Sequence, residues 1–230
     1  MKILAIDSSA KSSSVALLDD NKLLGEFFVN VGLTHSQTLM MMVESLLKNA
    51  DIDVNKLDAF AVSSGPGSFT GLRIGISAIK GMAMLAQIPC IEISTLYSMA
   101  YNFICEDVIV CAVMDARCNQ VYNAIFDICG EKIVRLTPDR TISINELYSE
   151  LENLEKKVIL VGDGALLCYN KNNMSNVYLA HESRRFQRAS SVAFAAYDEY
   201  LNNNTVDSAN LVPKYLRIPQ AERELGRKSV

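Results

Sequence analysis

The pattern of hydrophobic and polar positions divides the chain into two successive series of strands and helices. Short apolar runs bounded by turn residues predict strands, and apolar positions three or four apart predict helices. In the first series the pattern predicts strands at 2–7, 13–18, 23–31, 58–64 and 90–93, and helices at 35–50, 71–86 and 94–104. In the second it predicts strands at 108–114, 120–128, 132–137 and 158–162, and helices at 143–155, 164–170 and 189–202.

The two series resemble each other in the spacing of their strand-end aspartates. Asp7 ends one predicted strand and Asp115 ends another. In both cases an apolar run closed by a second aspartate, Asp19 or Asp127, follows at the same distance. This repeat favours two similar α/β lobes that face each other across a cleft, which is the duplicated architecture of the actin, Hsp70 and sugar-kinase superfamily.

Composition and charge are those of a globular protein with two cores. No low-complexity linker divides the chain, and the best predicted boundary separates domains 1–104 and 105–230. Half of the 230 residues are hydrophobic, and 22 basic against 26 acidic residues give a net charge of −4. That balance excludes a uniformly basic, nucleic-acid-binding surface. The N-terminal apolar run is too short for a signal peptide, and no stretch approaches the ~18 uncharged apolar residues of a membrane span. We expect a cytoplasmic protein without membrane association.

Residues 63–75 read SSGPGSFTGLRIG, a glycine-rich loop that opens a predicted helix. Such loops often bind phosphate, but the P-loop spacing from Gly65 places Thr70 where the second glycine belongs, and no lysine follows. The dinucleotide-binding fingerprint fails at the same threonine. We interpret the loop glycines as shaping a strand-to-helix turn, and Gly71 and Gly75 as allowing close packing against the helix.

Two predicted helices have more apolar residues than one buried stripe requires. Helix 71–86 carries charge only at Arg73 and Lys80, and helix 35–50 contains three consecutive methionines, residues 40–42. Surplus apolar surface on neighbouring helices indicates a protein–protein interface. The predicted partner face consists of Leu39, Met40, Met42, Val43, Arg73, Ile74, Ser77, Ala78 and Gly81.

A candidate nucleotide cleft lies between the predicted lobes. Asp7, Asp115 and the turn Gly162-Asp163-Gly164 would face it, and the two strand-end aspartates would suit Mg²⁺ held through water. The turns that follow Asp7 and Asp115 contain no glycines that would let the backbone close around a phosphate. These glycine-poor turns argue against a free-standing ATP-dependent phosphotransferase, which stays the alternative function.

Other chemistry is poorly supported. The segment that starts at His181-Glu182 begins like a zinc-protease motif but lacks the second histidine, so a metallopeptidase is the less favoured alternative. With two histidines in the chain we predict no metal site and no catalytic triad. Arg184, Arg185 and Arg188, together with the charged tail from Lys214 onwards, are either contacts to RNA phosphates or solvated surface.

Five segments, in this order, resemble the bacterial TsaB (YeaZ) family of the tRNA threonylcarbamoyladenosine pathway. They are residues 3–9 (ILAIDSS), the helix start His35-Ser36, residues 65–75 (GPGSFTGLRIG), residues 115–117 (DAR) and residues 213–217 (PKYLR). The third segment is highly specific, and the others are individually weak. The resemblance covers nearly the whole chain.

The resemblance implies an α/β fold of the actin-like (ASKHA) type, with duplicated ribonuclease-H-like lobes and mixed sheets flanked by helices. It implies a non-catalytic subunit that binds the catalytic paralogue TsaD through the first two helices and works with the ATPase TsaE. It further implies a homodimer through the same helices as an alternative pairing, and tRNA contact only through the complex. We expect no cofactor in the isolated protein, ATP or ADP with Mg²⁺ only in the complex, and a terminal segment that packs back on the first lobe.

Overall fold

The structure, a computed structural model, describes residues 1–32, 34–171 and 174–217. The first half of the chain starts with three antiparallel strands and continues with two long helices that alternate with strands. Its elements are β1 (Lys2–Asp7), β2 (Ser13–Asp19), β3 (Lys22–Val29), α1 (His35–Ala50), β4 (Ala59–Gly65), α2 (Phe69–Ala86), β5 (Cys90–Ser94) and α3 (Thr95–Ala100), with 3-10 helices at Val54–Lys56 and Tyr101–Phe103.

The second half repeats this order with shorter helices. Its elements are β6 (Glu106–Asp115), β7 (Gln120–Gly130), β8 (Lys132–Arg135), β9 (Arg140–Ser143), α4 (Ile144–Leu151), β10 (Val158–Val161), α5 (Ala165–Tyr169), β11 (Val177–Leu179), α6 (Glu182–Arg185) and α7 (Ala189–Leu201), with a 3-10 helix at Ser208–Asn210. The sequence pattern missed β9, β11 and α6, which are only three or four residues long.

The two sheets have the same topology. The first has the order β3-β2-β1-β4-β5 and the second β8-β7-β6-β10-β11, with β9 pairing beside β8 on β7. In each sheet the first three strands pair antiparallel and the last two join in parallel. Ala5 lies opposite Ala16 in the first sheet, and Ala112 lies opposite Ala124 in the second. The duplication predicted from the aspartate spacing is confirmed by this shared order and direction.

Helices α1 and α2 cover one face of the first sheet. Their buried stripes pack on alternate residues of β1 and β2, such as Leu4 and Leu17. By length and composition alone, α2 is long and apolar enough to cross a membrane, but the same is true of core helices in soluble proteins. Its stripe of Leu72, Ile76 and Ile79 is buried against the sheet.

The two halves of the chain exchange a helix. The second face of the first sheet is covered by α7, whose Val192 packs near Ala5, and α3 packs Met99 on the second sheet. The predicted boundary at residues 104 and 105 therefore separates the two sheets, but each half contributes a helix to the other sheet. The Tyr101 hydroxyl, from the 3-10 helix that follows α3, donates to Asp198 Oδ2 of α7 at 2.8 Å.

The start of α7 is held by a carboxylate of the first lobe. Glu26 of β3 is 7% exposed, and it pairs with the Arg188 guanidinium. It also accepts hydrogen bonds from Ser190 N at 3.0 Å and Ser190 Oγ at 2.9 Å. An acceptor at this position satisfies backbone N–H groups that have no partner within the helix.

The three arginines of the predicted basic cluster each form an ion pair within the chain. Arg184 pairs with Glu106, Arg185 pairs with Glu182, and Arg188 pairs with Glu26. Contact of these arginines with RNA phosphates stays a prediction. The charged tail from residue 218 lies outside the described residues.

The last described segment runs back along the first lobe, and we call residues 206–217 the C-terminal strap. Val206 pairs with Cys90 at the edge of the first sheet. Further on, Lys214 N donates to Ser64 O at 2.7 Å, and Lys214 Nζ lies 2.9 Å from Glu92 Oε2.

Candidate functional site

A groove of about 570 Å³ lies on the outer surface of the first lobe, between α1 and α2. Its lining is mostly apolar and comes from the first halves of both helices. The lining residues are His35, Ser36, Leu39, Met40, Phe69, Thr70, Arg73, Ile74, Ser77 and Ala78. Met40 is 47% exposed at its edge, so the groove presents apolar surface to the outside.

Small residues continue the α2 side of this groove. Gly81 lies one turn beyond Ser77. Outside the backbone of α2, no atom of the residues that the structure describes lies within 4 Å of the place where a Cβ on Gly81 would stand. Small residues four apart on one face allow another helix to approach closely. The open α2 face can therefore accept a second helix without rearrangement of this lobe.

The structure sorts the predicted partner face into two groups. Six of its residues lie at the groove or on the open α2 face: Met40, Arg73, Ile74, Ser77, Ala78 and Gly81. Leu39, Met42 and Val43 are 1%, 8% and 3% exposed, because they form the stripe of α1 that packs on the first sheet. This corrects the prediction at those three positions, of which only Leu39 reaches the groove.

Sequence reasoning missed the end of the groove where the two helices begin. His35, Ser36, Phe69 and Thr70 all belong to the family motifs quoted above, but none of them gave a periodic signal that placed it on the partner face. The His35 side chain turns inward, and its Nε2 lies 2.8 Å from the Ala10 carbonyl oxygen. Residues at helix starts join this surface through tertiary packing, which a pattern along the chain does not encode.

Three glycines of the 63–75 segment face the turn that follows β1. A Cβ on Gly67 would overlap the Ser9 carbonyl oxygen, and one on Gly71 or Gly75 would overlap the Ser8 carbonyl oxygen or Oγ. Ser8 Oγ also donates to Gly71 O at 2.8 Å. The sequence predicted that Gly71 and Gly75 allow a neighbour to pack closely against the helix. In the structure that neighbour is the turn after β1. The space that a phosphate loop leaves for its ligand is therefore filled by protein.

The fourth glycine faces the C-terminal strap. Gly65 has a φ of +130°, a conformation that L-residues rarely adopt, and a Cβ there would overlap the Lys214 carbonyl oxygen. The glycine-rich segment and residues 213–217, two of the motifs that carry the family resemblance, are thus in direct contact.

The cleft between the lobes lies beside the groove and forms two compartments of about 350 and 270 Å³. Asp115 and Asp163 line both, with Lys11 opposite. Burial raises the pKa of the Asp163 carboxyl, and the charge of Asp115 acts in the same direction. Gln187 Nε2 donates to Asp163 Oδ1 at 3.1 Å. Of the predicted cleft residues, these two aspartates face the open space.

Asp7 lies beneath the cleft rather than in it, at 1% exposure. Its Oδ2 accepts a hydrogen bond from Ser63 Oγ, and its Oδ1 accepts from Ser9 N at 3.0 Å and Ser9 Oγ at 2.8 Å. Burial raises the pKa of this carboxyl, and the three hydrogen bonds oppose that shift. The prediction that Asp7 faces a nucleotide is corrected, because its oxygens are engaged by three donors of the protein.

The turn Gly162-Asp163-Gly164 is likewise occupied by protein. Gly162 has a φ of +100°, and its N–H donates to Arg185 O at 2.6 Å. Gly164 N donates to Val113 O at 3.2 Å. These two N–H groups are therefore not available to a ligand, and the glycines allow the turn to approach β6 closely.

Phe69 connects the groove to the cleft, since it lines both. The Tyr215 ring of the strap packs on it with ring centroids 4.5 Å apart. Two residues later, Arg217 Nη1 donates to the Ala116 carbonyl oxygen across the cleft. The strap thus contacts both lobes.

Among residues 1–32, 34–171 and 174–217, no three His, Cys, Asp or Glu side chains lie close enough to hold a metal ion. His181 caps the short helix α6 through Ser183, with Nδ1 and Ser183 Oγ 2.8 Å apart. Neither histidine is part of a metal-binding group in the described chain.

Two sheets of the same strand order about a cleft define an α/β protein of the actin-like fold, here without glycines in the turns after its strand-end aspartates. The family model of TsaD, tRNA N6-adenosine threonylcarbamoyltransferase, matches residues 30–224. The tRNA threonylcarbamoyladenosine biosynthesis protein TsaB of Buchnera aphidicola subsp. Schizaphis graminum is 35% identical over 172 residues, which are 70% of this chain and 78% of that protein. The chain belongs to the TsaB family, as its motifs indicated.

Two further comparisons span almost the whole chain. The protein of the same name from Bacillus subtilis is 29% identical over 227 residues, which are 96% of each chain. The solved structure of YeaZ from Pseudomonas aeruginosa superposes with a TM-score of 0.80 at 25% identity, over 94% of this chain and 99% of that one.

Proposed function

We propose that this chain is a non-catalytic subunit of the machinery that transfers a threonylcarbamoyl group to tRNA. In this role it binds a TsaD-like catalytic subunit through the groove between α1 and α2 and acts with a TsaE-like ATPase. It works in the cytoplasm and meets tRNA through the complex. A homodimer through the same helices is the competing occupant of the groove.

The observation that carries this proposal is the open groove with its small-residue α2 face. Met40, Ser77 and Gly81 leave room for a helix, while the stripes beneath them already satisfy the core of the lobe. Helices that pack by close approach need such small residues at the contact. A TsaD-like protein is the favoured partner because the TsaD family model matches residues 30–224, which include α1 and α2, so a related lobe would carry two helices of the same arrangement.

A non-catalytic role is supported by how the cleft is used. The Asp7 carboxylate is engaged by Ser9 and Ser63, and the turns that would hold phosphate are filled by the chain itself. We infer that the isolated protein needs no cofactor, and that ATP or ADP with Mg²⁺ binds only in the complex. Calorimetric titration of the isolated protein with Mg-ATP tests this, since tight binding with turnover supports a phosphotransferase instead.

The decisive test is Gly81→Arg. Apart from the backbone of α2 itself, no atom of the described residues lies within 4 Å of the new Cβ, so the variant is expected to fold. At a helix–helix contact it fills the space that the partner needs, and we expect affinity for a TsaD-like subunit to fall at least about 100-fold, as for the removal of a strong interface contact. Analytical ultracentrifugation of the purified pair measures the loss.

The matched control is Asn145→Arg, an exposed position on α4 of the second lobe. It adds the same charge and bulk far from the groove, and we expect wild-type affinity. Equal binding by the Gly81 variant and wild type would place the partner surface elsewhere. Self-association of the wild-type chain without affinity for the TsaD-like subunit would favour the homodimer.

A further inference from the structure

Arg73 is the permanently charged residue of the groove lining, and it is held from one side. Its Nε donates to the Tyr215 hydroxyl at 2.8 Å. The guanidinium carbon lies 5.7 Å from the centroid of the Tyr215 ring, which itself packs on Phe69. Tyr215 is fixed in turn by the strap, because Lys214 N is bonded to Ser64 O. The C-terminal strap therefore sets where the Arg73 side chain points.

The other edge of this guanidinium is free within the part of the chain that the structure describes. There, no carboxylate lies within ion-pair distance of Arg73, and its two terminal nitrogens have no hydrogen-bond partner. The terminal nitrogens form a planar fork that matches a carboxylate or phosphate in bidentate geometry. Lys80, the other cation of α2, already donates to Ala209 O at 3.2 Å.

We infer that the helix which occupies the groove carries a carboxylate that pairs with Arg73, and that Tyr215 is the positioning residue for this recognition. The inference rests on the proposed function, because it takes the occupant to be the TsaD-like subunit. It adds the chemistry by which this subunit is recognised within an otherwise apolar groove.

The surroundings of Arg73 favour a protein carboxylate over an RNA phosphate. Binding of RNA through its backbone uses several cations along one surface. In the groove the neighbours of Arg73 are Ile74, Ser77 and Ala78, which suit helix packing. A charge at the edge of an apolar contact fixes register and excludes wrong partners.

The composition of the groove also favours a different protein over a second copy of this chain. The groove lining contains no aspartate or glutamate, so two copies packed groove to groove would leave both Arg73 forks without a counterion. The carboxylate on these two helices is Glu44, one turn beyond Met40 on α1 and outside the lining. Glu44 is therefore the residue that a self-association test must include.

The test measures the affinity of the purified chain for a TsaD-like subunit at low and high salt. The variants are Arg73→Gln, Arg73→Lys, Tyr215→Phe and the Arg73→Gln/Tyr215→Phe double variant. Tyr215→Phe keeps the ring on Phe69 and removes only the hydroxyl acceptor. Lys132→Gln removes the same charge from an exposed position of β8 and serves as the control. Thermal unfolding of each variant, sedimentation of the chain alone and titration with tRNA complete the set.

We expect Arg73→Gln to lose about tenfold or more in affinity, as for a hydrogen-bonded charge pair, and to lose most of the salt dependence. Arg73→Lys should fall between, because it keeps the charge without the fork. Tyr215→Phe should cost about threefold by itself, because Arg73 keeps its charge and its fork but loses one positioning hydrogen bond. In the Arg73→Gln background, Tyr215→Phe should cause no further loss of affinity. If Tyr215 only stabilised the fold, its substitution would lower the affinity equally in both backgrounds.

Three results would overturn the inference while the proposed function stands. The first is wild-type affinity and salt dependence for Arg73→Gln in a chain that binds the TsaD-like subunit. The second is an Arg73→Gln variant that loses affinity for tRNA but keeps wild-type affinity for the TsaD-like subunit. The third is a wild-type dimer that both Arg73→Gln and Glu44→Gln dissociate. A wild-type chain that does not bind the TsaD-like subunit at all would contradict the proposed function itself.

Discussion

Substitution of Gly65 by alanine tests whether the glycine-rich segment exists to seat the C-terminal strap. The new Cβ would overlap the Lys214 carbonyl oxygen, so the strap has to move away from β4. The φ of +130° remains, and it costs an alanine about 1–3 kcal/mol. Loss of the Lys214–Ser64 hydrogen bond adds about 1 kcal/mol, and loss of the Tyr215–Phe69 contact adds about as much.

The expected loss in the free energy of unfolding is therefore about 3–5 kcal/mol, or about 6–20 °C in the melting temperature of a chain of this size. Calorimetry measures the loss of stability, and amide hydrogen exchange over residues 211–217 shows whether the strap is released. Gly81→Ala is the matched control. It places the same methyl group where no described atom outside the α2 backbone lies within 4 Å, and in a helix it should stabilise by up to about 1 kcal/mol. Wild-type stability and exchange in the Gly65 variant would refute the reasoning.

Two further predictions concern buried carboxylates. Because burial raises the pKa of Asp7, its contribution to stability is present below the unfolded pKa and lost as pH rises through the folded-state pKa. Asp7→Asn should therefore be more stable than wild type at pH 7, by a margin that shrinks towards pH 4, and urea unfolding across that range would show a constant difference if this is wrong. Glu26→Gln should cost about 1–3 kcal/mol, because Arg188 loses its ion pair at the start of α7. Unchanged urea unfolding of the Glu26 variant would contradict that role.

Much of the fold was accessible from the sequence because its pattern is local. The strands of both sheets alternate or are wholly apolar, and the offsets from Asp7 and Asp115 disclosed the duplication. The pattern did not disclose that α3 and α7 exchange sheets, because that depends on which lobe each helix packs against. The same limit explains the partner face. Periodicity places Leu39 and Met42 on an apolar stripe, and only the packing shows that this stripe faces the sheet.

The site was less accessible, since its contacts join distant parts of the chain. The Lys214 carbonyl group leaves no room for a side chain at Gly65, and the Tyr215 hydroxyl fixes the direction of the Arg73 side chain. Neither pair leaves a periodic signal, because each depends on how the strap returns to the first lobe. The motif resemblance identified the segments involved, but it gave no reason why the segments at 65–75 and 213–217 occur together. Their direct contact supplies that reason.

The glycine-rich segment lets the inner side of α2 pack closely against the β1–β2 turn and the strap, and it leaves the outer side of α2 uncovered by the described chain. In a phosphate-binding loop, glycines let a ligand approach the backbone. Here the equivalent spaces beside Gly65, Gly67 and Gly71 hold carbonyl groups of Lys214, Ser9 and Ser8, so an anion would have to displace both the β1–β2 turn and the strap. The inner face of α2 is thereby closed to a ligand, while its outer face keeps small residues that nothing in the described chain covers. A helix that is tightly seated on one side and open on the other is suited to receive a partner rather than a nucleotide.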